Sequence, residues 1–504
     1  MAAQVTAQPD VDWSRTYGGS AFESFRDVVA TSDGGYVSVG TTRSANGTVT
    51  GYHGETDAWV VRVDATGALL WQRALGGTSF DNAHGVVQTV DGGFLVVGGT
   101  SSLDGDVSEN LGGSDFWAVK LSPIGDILWE RVYGGSDGEG AFAVVAQDDG
   151  TFVLAGFTQS VDGDITHSLG GFTDVWVIRI SATGDLLQQR SFGGSSSEDA
   201  FALGAASDGS FVFIGHTASQ DGDVGDNDHL IDDIWVAKFT FDDGLLWEHT
   251  YGSDEGTEFG YSIVETSEAG FWVLGDASAE GGDVQGLRGG QDGWVLRLDN
   301  EGALLWQRCL GGSDFDFLGD VAVLANGGVI VCGETNSTDG DVQSSIGGGD
   351  AWLVRLSDDG DLLWQRCYGG SAGDGFGSVL QHENGTYTLA GGSASSDGDV
   401  PGIQGVFDCW LLQLEPDFTS VSESVVVVEL QLAPNPATTS LSVQHDVPTR
   451  ATLTIHDARG ALVRMEQGVF PARLTLSVED LVPGMYRVSL TAEESVRAAS
   501  FVRE

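Results

Sequence analysis

Carboxylates carry most of the chemistry this sequence can offer, and they recur in three patterns. The first is an Asp-Gly-Asp pair: Asp104 and Asp106, Asp162 and Asp164, Asp221 and Asp223, Asp339 and Asp341, Asp397 and Asp399. Two hard oxygen donors at i and i+2 can converge on one cation, so the cofactor they point to is calcium. The competing reading is a turn cap, in which each Asp accepts from nearby backbone amides where a loop bends. The longer Asp-x-Asp-x-Asp-Gly calcium loop does not occur. The second pattern sets an acid two residues before a Trp, at Asp57, Asp115, Asp174, Asp233, Asp292, Asp350 and Asp408. One ligand seldom needs seven copies of a group, so these acids read as structural. The third is a single acid, at Glu23, Asp81, Glu139, Glu198, Glu258, Asp316 and Asp374, expected in a connecting loop.

Other catalytic signatures are weak. The nine His share no repeat position and form no His-x-x-x-His pair, which argues against zinc. No Gly-x-Ser-x-Gly elbow precedes a helix, and no Gly-x-x-x-x-Gly-Lys loop occurs, Lys120 and Lys238 being the only lysines. Acid pairs are numerous enough for a glycosidase dyad, but none stands apart from its equivalents elsewhere in the chain. Cys309, Cys332, Cys367 and Cys409 lack Cys-x-x-Cys spacing and read as buried free thiols, with a disulfide as the alternative.

What positions these residues is a repeat. Trp13, Trp71, Trp129, Gln188, Trp247, Trp306 and Trp364 head near-identical segments 58 or 59 residues apart. Each unit holds two alternating runs around an Asp-Gly or Asn-Gly turn, such as Asp33-Gly-Gly35. A longer loop and a second pair follow, such as Ala58–Val63 and Ala68–Ala74. Strands one to three occur seven times, but a fourth follows only six of them. The spare is Asp12–Tyr17, a fourth strand with no unit before it. The expected fold is all-β, a seven-bladed propeller over residues 12–418 after an N-terminal stub, 1–11. The first strand closes the last blade, as in WD-repeat propellers; an open solenoid is the alternative. Thirteen of the 14 Trp recur at two blade positions, which favours packing over sugar stacking, and Trp272 is the exception. The propeller segments resemble the Trp- and Gly-rich repeats of secreted bacterial proteins. That resemblance implies a fold and an extracellular habit, and brings no catalytic residues.

Residues 419–429 read as a linker, and 430–504 as a small Ig-like β-sandwich. Pro434-Asn435-Pro436, the segment ending at Gly460, and Pro483-Gly484 with Tyr486 resemble the C-terminal sorting domain of type IX secretion substrates. The resemblance implies a partner, the secretion machinery of the outer membrane, and a secreted or surface location. No signal peptide is visible at Met1–Asp10, which that family normally carries, and no apolar run reaches membrane-spanning length.

The chain carries 74 acidic and 22 basic residues, a formal charge of −52, and nucleic acid is excluded as a partner. The last 75 residues hold 8 acids and 7 bases, so almost all of the charge lies on the propeller. A high-salt habitat would explain the acidity; a cation-collecting face would explain why the tail lacks it. The expected function is a non-catalytic binding or adhesion platform for a glycan or a protein. The alternatives are a polysaccharide lyase or hydrolase, and an intracellular scaffold. An enzyme would need one repeat to break the pattern with converging acid, His or Tyr groups. Repeat four is the expected place, having Gln188 for Trp and the extra acids Asp226, Asp228, Asp232 and Asp233.

Overall fold

A computed structural model describes residues 8–225, 227, 231–266, 270–324, 327–417, 431–433, 435–444, 449–457, 462–471, 473–492 and 495–503. The chain divides into two compact units, with the boundary between Asp417 and Phe418. The expected linker, Pro434, Gly460, Asp226 and Asp228 lie outside the described residues.

The larger unit is seven four-stranded antiparallel sheets. Blade one runs Glu23–Ala30, Tyr36–Thr42, Asp57–Val63 and Leu69–Leu75, and the next five repeat that order. Each first strand touches the first strands of both neighbouring blades, around to contact between Glu23–Ala30 and Asp374–Gln381, so the ring is closed about an axial channel. The N-terminal strand Val11–Tyr17 pairs with Asp408–Leu414 and completes blade seven. No sheet edge is left open at the seam.

Burial follows position in the blade. Third strands such as Asp57–Val63 are buried at every residue, because both faces meet an adjacent blade; fourth strands expose their outer residues. Their sequences differ accordingly, near-continuous Val, Ile and Trp against alternation. The third-strand Trp series, Trp59 to Trp410, is at most 2% exposed. In blades one to six the indole donates to a fourth-strand Gln or Glu, as Trp59 Nε1 does to Gln72 at 2.7 Å, and Trp352 Nε1 to Gln365 at 2.8 Å. In blade seven the acceptor is Ser14 Oγ of the N-terminal strand, 2.9 Å from Trp410 Nε1. Fourth-strand Trp reach to the outer hairpin of the next blade, Trp13 Nε1 to the Ala65 carbonyl at 3.1 Å and Trp71 Nε1 to Pro123 at 3.1 Å. Trp therefore ties blades together. Trp272 sits 1% exposed in a second strand, edge-on to Trp306 at 5.1 Å. All four cysteines are buried free thiols.

The smaller unit packs a three-stranded sheet on a four-stranded one. Leu441, Val443 and Leu476 of the first meet Leu453, Ile455, Tyr486, Val488 and Leu490 of the second. Asn435 Oδ1 accepts from Val502 N at 2.9 Å, and Tyr486 Oη donates to the Val482 carbonyl at 2.9 Å, next to Pro483 and Gly484. Among the described residues no helix is long and apolar enough to cross a membrane.

Candidate functional site

The Asp-Gly-Asp pairs sit on the long-loop face, and their two carboxylates serve different backbone groups. The first Asp reaches the loop that enters its blade: Asp104 Oδ1 accepts from Thr78 N at 2.7 Å, Asp162 from Ser136 N and Asp221 from Ser195 N at 2.8 Å. Asp339 and Asp397 bind Ser313 N and Ser371 N at 2.7 and 2.8 Å, and Asn46 of blade one binds Ser20 N at 2.9 Å. The second Asp turns to the first glycine of that loop, Asp106 to Gly76 N at 3.3 Å, Asp164 to Gly134 N at 3.2 Å. Asp223 and Asp399 do the same, whereas Asp341 binds Arg288. Gly105 between the two has φ +69°, and a methyl there would lie 2.2 Å from the Gly76 carbonyl oxygen. The motif is a clamp that locks one long loop onto the next. Among the described residues no group of three or more His, Cys, Asp or Glu is placed to hold a metal ion.

The Asp-x-Trp acids cap the end of the same long loop. Asp115 Oδ2 accepts from Leu111 N at 2.8 Å, Asp174 Oδ2 from Leu169 N at 2.9 Å, Asp350 Oδ2 from Ile346 N at 2.7 Å and Asp408 Oδ2 from Gln404 N at 2.7 Å. Asp57 and Asp292 do likewise, to His53 N and Arg288 N, and Asp233 stands in the same place. The sequence places the third acids in a connecting loop; instead six of the seven begin a first strand, Glu258 alone standing just before Phe259–Glu265, and all are buried. Glu139 accepts from Gly135 N and from Thr158 Oγ1, both at 2.8 Å; Asp81 accepts from Gly77 N at 2.7 Å and Ser102 Oγ at 2.7 Å. A recurring Thr-x-Ser, such as Thr100-Ser-Ser102, supplies these hydroxyls, and its spacing is the signal in the sequence that marks their role.

At four seams the Asp-x-Trp carboxylate and the following third acid close on one glycine. A methyl on Gly134 would lie 2.2 Å from Asp115 Oδ1 and 2.5 Å from Glu139 Oε2; Gly18, Gly193 and Gly311 are held the same way. Burial, with repulsion from Glu139 and Asp164, raises the Asp115 carboxyl to about 6.

These groups recur around the ring; the axial channel does not repeat. Every first strand carries a β-bulge three residues after its acid, and the bulged residues are Arg26, His84, Phe142, Phe201, Tyr261, Gly319 and Gly377. They meet from blade to blade: ring centroids are 4.9 Å apart for His84 and Phe142, 5.2 Å for Phe142 and Phe201, and 5.9 Å for Phe201 and Tyr261. Phe317 continues the arc 4.7 Å from Tyr261. One half of the channel is thus walled by half-exposed rings, and blades six and seven offer glycine.

Acids without a Lys or Arg partner among the described residues adjoin the same half. The residue after each third acid faces the end of the second strand, pairing Asp199 with His216, Phe259 with Asp276, and Phe317 with Glu334. His216 is 8% exposed; its ring stacks on Phe201 at 5.6 Å and meets Phe259 edge-on at 4.8 Å. Its Nε2 lies 3.7 Å from Asp232 Oδ1, while His216 Nδ1 and Asp199 Oδ1 are buried with no hydrogen-bond partner among the described residues. Burial lowers the His216 pKa and raises that of Asp199. Asp276 accepts from Tyr261 Oη at 3.0 Å and from Gln291, and burial raises it to about 6; burial also raises Glu334. Of the acids expected to mark repeat four, Asp232 belongs here and Asp233 holds the Asp-x-Trp position of its blade. The signal available in the sequence was columnar: the positions one and three residues after each third acid differ from blade to blade in charge and aromatic character.

Residues 431–503 match the family described as the secretion system C-terminal sorting domain. The C-terminal unit is a type IX sorting domain, and the chain is a propeller-repeat protein that carries it. No curated protein matches the chain by sequence. Among solved structures it is similar to the Pan2 WD40 domain of Neurospora crassa, with 9% identity over 82% of this chain and 96% of that one, TM-score 0.33. It is also similar to a DUF4221 family member from Bacteroides vulgatus, with 8% identity over 82% and 99%, TM-score 0.30. With puromycin hydrolase the identity is 12% over 96% of this chain, which spans 63% of that protein, TM-score 0.42. Likenesses this distant carry nothing about activity.

Proposed function

We propose that the propeller is a non-catalytic binding platform, exported through its C-terminal domain to the cell surface, that takes its ligand at the long-loop mouth of the axial channel. One observation carries this reading. The residues that depart from sevenfold repetition gather there, as a continuous arc of rings from His84 to Phe317 flanked by Asp199, Asp232, Asp276 and Glu334. Half-exposed aromatic faces beside convergent polar groups are what a ligand site requires and a packing surface does not. A glycan array probed with the full chain tests it. Binding that is lost in Phe201→Ala and Phe317→Ala, with the fold intact by circular dichroism, supports the reading; binding unaffected by both refutes it.

A polysaccharide-acting enzyme is the second reading, favoured by Asp199, His216 and Asp232. Two carboxylates flanking one imidazole, with a carboxyl pKa raised by burial, supply a proton donor and acceptor in one place. Incubating the bound glycan with the chain separates the two, because release of shorter products would exclude a purely binding role.

A further inference from the structure

Resting on that reading of the channel mouth, we infer that its ligand is an amino-sugar oligosaccharide, recognised through protonated amines that sit between aromatic rings and the carboxylates of blades four to six. Three observations lead there. First, Asp199, Asp276 and Glu334 have no Lys or Arg partner among the described residues, and Asp232 meets only His216. Elsewhere in the propeller cations are paired with other acids, as Arg62 with Asp33 at 2.6 Å, Lys120 with Asp91 at 3.0 Å and Arg355 with buried Asp417 at 3.5 Å. Second, the site holds two buried polar atoms with no hydrogen-bond partner among the described residues, His216 Nδ1 and Asp199 Oδ1, where the imidazole stacks on Phe201 and meets Phe259 edge-on. Third, rings and carboxylates alternate from blade to blade: Asp199 beside Phe201, Asp276 opposite Phe259, Glu334 opposite Phe317.

A cation over an aromatic face is attracted by the ring quadrupole, more so when partly desolvated, and a carboxylate beside the ring adds a charge-assisted hydrogen bond. An acid held in a half-buried site without a counter-ion gains from such a ligand, since the incoming charge offsets its desolvation. The propeller's net negative charge repels anionic glycans and draws cationic ones in. The alternation favours a polymer whose every unit carries a flat apolar ring face and an ammonium, which an amino sugar does. A lysine peptide presents its ammonium on a flexible stem without a plane. Arg26 stands at the bulge of blade one, next to the His84 blade, and burial, with Arg26 adding to it, lowers the His84 pKa.

Calorimetric titration of the full chain with a glucosamine tetramer tests the inference, with the N-acetylated tetramer and tetralysine as parallel arms. The expected result is binding of the glucosamine tetramer about tenfold or more tighter than of its N-acetylated form, since a cation–aromatic contact with its ion pair is lost. The preference falls with added salt, and Asp232→Asn and Glu334→Gln, both at half-exposed positions, reduce it while leaving the thermal midpoint in place. Equal binding of the two tetramers, lost in Phe317→Ala, keeps the channel mouth as the site and overturns the amine. Tetralysine binding as tightly as the glucosamine tetramer overturns the sugar in favour of a basic peptide. No binding in any arm overturns the inference, and the glycan array then decides separately whether the mouth binds at all.

Discussion

Replacing Gly134 with Ala tests the carboxylate clasp at the blade seams. The added methyl would sit 2.2 Å from Asp115 Oδ1 and 2.5 Å from Glu139 Oε2, far inside contact distance. Neither acid is free to swing away. Asp115 is anchored by Leu111 N at 2.8 Å, and Glu139 by Gly135 N and Thr158 Oγ1 at 2.8 Å. Making room costs about 1–3 kcal/mol for overpacking, plus about 1–3 kcal/mol for a displaced hydrogen bond to a buried carboxylate. The expected loss is about 2–6 kcal/mol. Two other glycines separate this steric cost from backbone effects. Gly373 has nothing within 4 Å of an added methyl, and Gly373→Ala should be neutral or stabilise by about 0.4–1 kcal/mol. Gly150 is equally open but has φ +81°, so Gly150→Ala should cost about 1–2 kcal/mol. Urea unfolding followed by tryptophan fluorescence is the assay, since all 14 Trp lie between Trp13 and Trp410 and report the propeller alone. A Gly134→Ala midpoint equal to that of Gly373→Ala would refute the reasoning.

Other outcomes follow from the same geometry. Burial raises Asp27 to about 7 and Asp115 and Asp276 to about 6, so in the window between about 4 and 7 the folded propeller binds more protons than the unfolded chain. Stability contributed by these groups rises as pH falls through that window, and the thermal midpoint should be higher at pH 5.5 than at pH 8; a lower midpoint at pH 5.5 would contradict the assignment. Below about 4 the trend should reverse, as Asp91 and Asp208, held at about 2 by Thr89 and Lys238 respectively, lose their charge. Because the Asp-Gly-Asp carboxylates accept from backbone amides, melting in excess calcium and in chelator should give one midpoint, and a clear rise with calcium would show a site that the clamp geometry does not explain. Removing residues 1–17 exposes the edge of Asp408–Leu414 and takes Ser14 from Trp410, so the truncated chain should lose cooperative unfolding and aggregate, as seen by light scattering.

The strand plan was readable because every blade repeats the same local chemistry. Val and Trp runs, Gly turns and the missing seventh fourth strand each report a neighbour in sequence, or one at a fixed interval. The orphan strand at Trp13 announced the seam with no tertiary information. The roles of the acids were half readable: turn caps were the competing reading for the Asp-Gly-Asp pairs, and a structural role was expected for Asp57 and its equivalents. That Asp104 and Asp106 diverge to different amides, while Asp115 and Glu139 converge on Gly134, depends on which loops lie side by side. Repeat four drew notice for its acid run, yet the residues that matter there include Phe201 and His216, ordinary members of strands taken singly.

The sequence by itself determined the number of blades, their strand order, the closing strand and the sorting domain, because these depend on periodic patterns and on short motifs. Only the tertiary structure decided where non-repeating residues meet. A bulge in each first strand turns one side chain toward the axis, and ring closure brings seven such positions, far apart in sequence, to one channel. Rings from His84 to Phe317 become a wall there, and Asp199, Asp232, Asp276 and Glu334 become its charged flank, through a juxtaposition that no local pattern encodes.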